Sequence, residues 1–153
     1  MALAGVLGAA RMKKERLRDQ RILIDGAGAA GAGIAGALLR GLVRDGLSEA
    51  EARERIFITD SHGLLVEGRS HMEDYKREFA QPAALLQKNG LSPLDIGSLE
   101  AVIRAFRPTV LLGVSGQART FPSGGDLYDL QLARALERRG HAVDLLRTPI
   151  GLD

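Results

Sequence analysis

Gly26, Gly28 and Gly31 stand in G-x-G-x-x-G spacing inside the stretch RILIDGAGAAGAGIAG, with Gly33 close behind. Residues of this type at this spacing suit the binding of a diphosphate. The first glycine permits a tight turn, the second lets backbone approach the phosphates, and the third lets a helix pack close to a strand. A helix opening there would offer unpaired N–H groups and a partial positive charge to the anion. The alternative is a small-residue helix packed on a sheet with no ligand. A second candidate is Asp60, the acid that ends the run IFITD. A carboxylate at the end of a second strand can accept hydrogen bonds from ribose hydroxyls. Gly26 and Asp60 are 34 positions apart, against about 20 in the usual pattern. An additional capped helix between them accounts for the excess. The plainer reading of Asp60 is a turn former ahead of Ser61-His62-Gly63. Asp25, directly before the first glycine, argues against phosphate, because a carboxylate facing a pyrophosphate would repel it. Strand alternation can point it away.

The elements that must position these residues can be read from periodicity. Arg21 to Asp25 (RILID) reads as a short buried strand that ends at glycine. Ala29 to about Arg44 reads as a helix with Ile34, Leu38, Leu39 and Leu42 on one side, stopped by Asp45-Gly46. Ser48 and Glu51 have capping-box spacing for a second, short helix. IFITD (Ile56 to Asp60) is the next strand, and Ser61, His62 and Gly63 turn the chain after it. Leu64 to Gly97 reads as loops around one or two short helices. Ser98 caps a helix through LEAVIRAF that stops before Pro108. TVLLGV (Thr109 to Val114) is nearly all apolar, as expected of a strand covered on both faces. DLYDLQLARALERR reads as an amphipathic helix stopped by Gly140, and HAVDLL as a fourth strand. Alternation of strand and helix predicts an α/β, Rossmann-like three-layer fold. Its sheet would be mostly parallel, of about four strands, with helices on both faces. We expect a single domain over residues 1–153, with a leading helix and linker over 1–20 and a divergent tail over 122–153.

Composition narrows the classes. The 153 residues suffice for one domain with a sizeable core. Net charge is +2, too small to argue for nucleic acid or an anionic membrane as partner. Cysteine is absent, which removes disulfides, thiolate metal sites and thiol nucleophiles. That composition fits a reducing cytoplasm. In MALAGVLGAARMKKERLRD the apolar stretch precedes the basic one, the reverse of a secretory signal, and it is too short to span a bilayer. His62, His71 and His141 are isolated, without a ligand spacing, and read as surface or turn residues.

The stretch ILIDGAGAAGAGIAGALLRGLVRDGLSEAEARERIFITDSHGLLVEGR resembles the cofactor domain of malic enzymes. That family has a GAG-x-A loop, a long helix, a GLS-x-x-EA second helix, an xxDSKGL strand and turn, and GR soon after. SLEAVIRAFRPTVLLGVSGQ continues the likeness, as does the upstream ALAGVLGAARM, so the resemblance covers about Ala2 to Phe121. It implies binding of NAD(P) and service in oxidative decarboxylation of L-malate to pyruvate with Mg²⁺ or Mn²⁺. By position, Gly26, Gly28, Ala29, Ala30 and Gly31 would cradle the pyrophosphate and Asp60 would hold the adenine ribose. Gly113, Val114 and Ser115 would line the nicotinamide side. Ser61 and Lys76 fall where NADP-preferring members carry serine and lysine, which implies NADP over NAD. The plainer reading of Lys76 is a solvated surface charge.

The family's catalytic tyrosine and lysine and its carboxylate metal ligands lie N-terminal to the matching stretch. Tyr75, Tyr128, Lys13 and Lys14 do not fall at those positions. The expectation is therefore a dinucleotide-binding domain with no catalytic or metal residues of its own, by resemblance part of an oligomer. The tail PSGGDLYDLQLARALERRGHAVDLL resembles the first glycine loop, helix and strand of GT-B glycosyltransferases. It supplies an alternative, a nucleotide-sugar-binding fragment. A non-catalytic Rossmann-like module is a third.

Overall fold

Helix α1 (Ala2–Met12) begins the chain, and a 3-10 turn (Leu17–Asp19) leads into strand β1 (Ile22–Asp25). After the glycine loop come α2 (Ala29–Arg44), α3 (Glu49–Glu54), β2 (Ile56–Asp60) and a two-residue strand β3 (Gly63–Leu64). Two short helices, α4 (Asp74–Arg77) and α5 (Ala83–Lys88), precede α6 (Leu99–Phe106) and β4 (Val110–Gly113). This computed structural model describes residues 1–114. The helix and strand expected in the tail, Gly140, Tyr128, His141 and Ser115 all lie outside those residues.

The sheet runs β3-β2-β1-β4. β1 pairs in parallel with β2 (Ile24 opposite Ile58) and with β4 (Ile24 opposite Leu112). Period-two alternation sends the side chains of β1 to two different layers. Ile22 and Ile24, with Ile56 and Ile58 of β2, join Ala35, Leu38 and Leu42 of α2 and Leu17 and Val6 in one buried cluster. Leu23 and Phe57 lie on the opposite face. There Phe106 of α6 stacks on Phe57 with ring centroids 3.9 Å apart and planes 8° from parallel. Burial of each such side chain contributes about 1.5–3 kcal/mol, and the stacked pair about 0.5–1.5 kcal/mol more. Helices therefore cover both faces of the sheet, as alternation predicted.

Local signals hold where they were read. Ser48 and Glu51 form a complete capping box, and Ser98 Oγ accepts the Ala101 N–H at the start of α6. Two features differ from expectation. β3 is antiparallel to β2, with Thr59 opposite Leu64, and makes the described sheet four-stranded without any strand from the tail. In β4, Val110 to Leu112 are half-buried rather than buried on both faces, because β1 is its one sheet neighbour among the described residues.

The outer edge of β2 is closed by short pieces. The Leu65 N–H donates to Ile58 O at 2.9 Å. The buried Gln81 donates through Nε2 to Ile56 O at 2.7 Å and Arg53 O at 3.1 Å.

Candidate dinucleotide site

The C-terminal ends of β1, β2 and β4 reach the same edge of the sheet, and each ends in residues singled out by sequence. β1 lies between strands reached by connections that leave it in opposite directions. This is the switch point at which open α/β sheets bind ligands.

At the end of β1, Gly26 adopts φ +125°, a conformation that L side chains rarely enter. Its N–H donates to Thr59 O at 2.9 Å, which fixes where the loop departs. A Cβ on Gly31 would fall 1.8 Å from Gly26 O and 3.2 Å from Val114 Cγ2. The first turn of α2 therefore sits directly on the loop, and only glycine fits. Gly28, the N-cap of α2, is exposed, and a Cβ built there would meet nothing within 4 Å. No side chain caps α2 and its first turn holds no acid. The N–H groups of that turn are thus left for water or an anion.

Asp25 turns aside from the loop. Its Oδ1 accepts the Thr59 hydroxyl at 2.8 Å. By alternation its carboxylate shares the face of Leu23, the one covered by α6, while α2 packs on the other. The carboxylate next to the glycine loop is thus turned onto the neighbouring strand.

At the end of β4, the Val114 N–H donates to Asp25 O at 2.9 Å and Gly113 pairs with Asp25. Gly113 and Val114 are thereby set beside the glycine loop.

At the end of β2, Asp60 has a carboxylate only 8% exposed. It accepts the His62 N–H at 2.8 Å, Arg69 Nη1 at 3.1 Å, Arg69 Nη2 and Lys76 Nζ at 3.4 Å. Burial opposes its charge, yet the hydrogen bonds from Arg69, the His62 N–H and Lys76 outweigh burial and hold the carboxyl below its usual range. The Lys76 ammonium is 12% exposed and lies 2.8 Å from Glu73 Oε2. Its bond to Glu73 raises its pKa, burial opposes, and Asp60 raises it further. Lys76 is thus a held cation rather than the solvated surface charge that was the plainer reading. Ser61 is exposed, with Oγ 3.2 Å from His62 Nδ1.

Three residues of this arrangement escaped sequence reasoning. The sequence marks Thr59 only as part of a strand, Arg69 only as half of the GR mark, and Glu73 not at all. An arginine nine positions after a strand-end acid, across a tight turn, was the available signal for Arg69. His62 and His71 are exposed, in line with the surface reading. No group of three or more His, Asp or Glu that could hold a metal ion gathers among the described residues. A cavity of about 860 Å³ lies at the opposite edge, lined by Arg21, Asn89, Arg104 and Arg107 among others, away from all the residues above. No described helix is long and apolar enough to cross a membrane.

Residues 1–124 match the family model described as malic enzyme, NAD binding domain. The NAD-dependent malic enzyme of Sodalis glossinidius is 41% identical over 121 residues, 79% of this chain and 21% of that protein. That of Pseudomonas aeruginosa is 42% identical over 121 residues, 79% of this chain and 22% of the relative. The human mitochondrial NADP-dependent malic enzyme is 38% identical over 121 residues, 79% of this chain and 18% of the relative. The chain thus spans about a fifth of the length of the curated relatives it matches. The family match favours the malic-enzyme reading over the glycosyltransferase one. With a mostly parallel sheet, a glycine loop that admits only glycine at Gly31, and a family model matched over residues 1–124, this chain belongs to the malic enzyme NAD-binding-domain family.

Proposed function

We propose that the chain binds NAD(P) along the edge where β1, β2 and β4 end, with NADP preferred. Gly26, Gly28, Ala29, Ala30 and Gly31 take the pyrophosphate on backbone N–H groups at the uncapped start of α2. Asp60 accepts hydrogen bonds from the adenine ribose in place of its 3.4 Å contact with Lys76, since its four present donors occupy both carboxylate oxygens. Ser61 and Lys76 meet a 2′-phosphate, and Gly113, Val114 and Ser115 line the nicotinamide side. Bound there, the dinucleotide supplies a hydride acceptor. The chain's own residues bind and orient it.

One observation carries this reading. Asp60 is held ionised beside two cations, Arg69 and Lys76, at the end of the strand next to the glycine loop. Arg69 balances Asp60, and Lys76, paired on its other side with Glu73, is the cation that meets a phosphorylated ribose. By resemblance the reaction served is oxidation and decarboxylation of L-malate to pyruvate. The acid–base pair and the metal ligands would then lie outside this chain. Assembly into an oligomer and residence in the cytoplasm belong to the same proposal, the latter supported by the absence of cysteine.

Calorimetric titration of the chain with NADP and with NAD tests the reading, and heat with neither overturns it. Lys76→Gln is expected to lower NADP affinity by about tenfold while leaving NAD within about twofold, since it removes one charge-assisted contact to phosphate. An unchanged ratio of the two affinities overturns the NADP assignment.

A further inference from the structure

We propose that Glu73 competes with a ribose 2′-phosphate for the Lys76 ammonium, and so sets how strongly the chain prefers NADP over NAD. The inference rests on the dinucleotide reading and deepens it. Lys76 Nζ lies 2.8 Å from Glu73 Oε2 and 3.4 Å from Asp60 Oδ2. Asp60 is itself engaged by both guanidinium nitrogens of Arg69 and by the His62 N–H. Of the two carboxylates on Lys76, Glu73 is therefore the one without a bidentate arginine of its own.

A phosphate oxygen in contact with Lys76 Nζ sits about 2.8 Å from it, the usual charge-assisted distance. That places the phosphate dianion roughly 3–6 Å from the Glu73 carboxylate, where like charges repel and the ammonium must be shared. NAD has no charge at that position and meets no such cost. Glu73 is at the N-cap of α4, three residues before Lys76, so the pairing is built into one helical turn. Its side chain is 56% exposed. Solvent screening keeps the effect moderate, at about threefold to tenfold in the ratio of affinities.

The experiment measures NADP and NAD affinities of the full chain by calorimetry for wild type, Glu73→Gln, Lys76→Gln and the double variant. Asp74→Asn serves as a control, because Asp74 is fully exposed and pairs with Arg77 at 3.2 Å. Glu73→Gln is expected to raise the NADP-to-NAD ratio by about threefold to tenfold at low salt, and to leave it unchanged in the Lys76→Gln background. Asp74→Asn is expected to leave the ratio within about twofold. An unchanged or lower ratio in Glu73→Gln overturns the proposal. So does an equal rise in the Lys76→Gln background or in Asp74→Asn, which would make the effect one of net charge alone. Wild type that binds neither dinucleotide overturns the dinucleotide reading, and this inference with it. Wild type that binds both, with a Glu73→Gln ratio that does not move, overturns this inference only.

Discussion

The glycine loop after β1 and the acidic end of β2 belong to one edge of one sheet, yet different physics holds each in place. At the loop, geometry is set by backbone: φ +125° at Gly26, and an approach at Gly31 that leaves no room for a methyl group. At Asp60, geometry is set by charge: a carboxylate held by Arg69, Lys76 and the His62 N–H. The first carries no titrating group and, at Gly31, admits no added atom. The second responds to protons through Asp60. In the proposed reading, backbone N–H groups take the constant part of a dinucleotide and side-chain charge meets its variable part. Discrimination between cofactors would then be tuned at β2 without disturbing the loop.

Three substitutions separate the two halves, in descending order of their effect on stability. Gly31→Ala drives a Cβ against Gly26 O and should cost about 3 kcal/mol or more, at every pH, in urea denaturation. A cost that varied with pH, or none, would break the distinction. Arg69→Met removes the main partner of a nearly buried carboxylate and should cost about 2 kcal/mol at neutral pH. The sign with pH follows from the depressed pKa of Asp60. Its contribution to stability is complete above the unfolded carboxylate value of about 3.9 and is lost as pH falls through the lower native value. The deficit of Arg69→Met should therefore be greatest at neutral pH and shrink in acid, which denaturation at a series of pH values would read. Gly28→Ala places a methyl group in open space at φ −73° and should change stability by less than about 1 kcal/mol. It should still weaken NADP and NAD alike by about tenfold, because the methyl group takes the space through which a pyrophosphate reaches the backbone. Unchanged affinity for both would remove Gly28 from the site.

The same contrast governs how much could be read from sequence. The backbone-determined half was legible, because glycine spacing, a strand before it and a helix after it are all local. The span of α2, the Ser48–Glu51 box and the Ser98 cap were legible for the same reason. The charge-determined half was legible only in its endpoints, Asp60 and Lys76. Arg69 closes on Asp60 across a turn, and Glu73 reaches Lys76 in a helix of four residues, too short to leave a periodic signal. The direction of Asp25 required the register of β1 against β2, since only the Asp25–Thr59 pairing shows which face it joins. β3 escaped because a two-residue strand has no alternation to detect. It exists through its pairing with Thr59 and Asp60.

That small strand and the glutamine beside it bear on the fate of the chain in a crowded solution. A parallel sheet that ends in a bare strand offers a row of unpaired backbone groups to any passing chain, and such rows seed aggregation. Here β2 has no long free border. Its C-terminal part is taken by Gly63 and Leu64, Ile58 O by the Leu65 N–H, and Ile56 O by the side-chain amide of Gln81. A side chain can satisfy a carbonyl without presenting a new row of backbone groups behind it. On the β2 side the border is thereby closed to strand addition at the cost of a few residues, while β4 keeps β1 as its one sheet neighbour among the described residues.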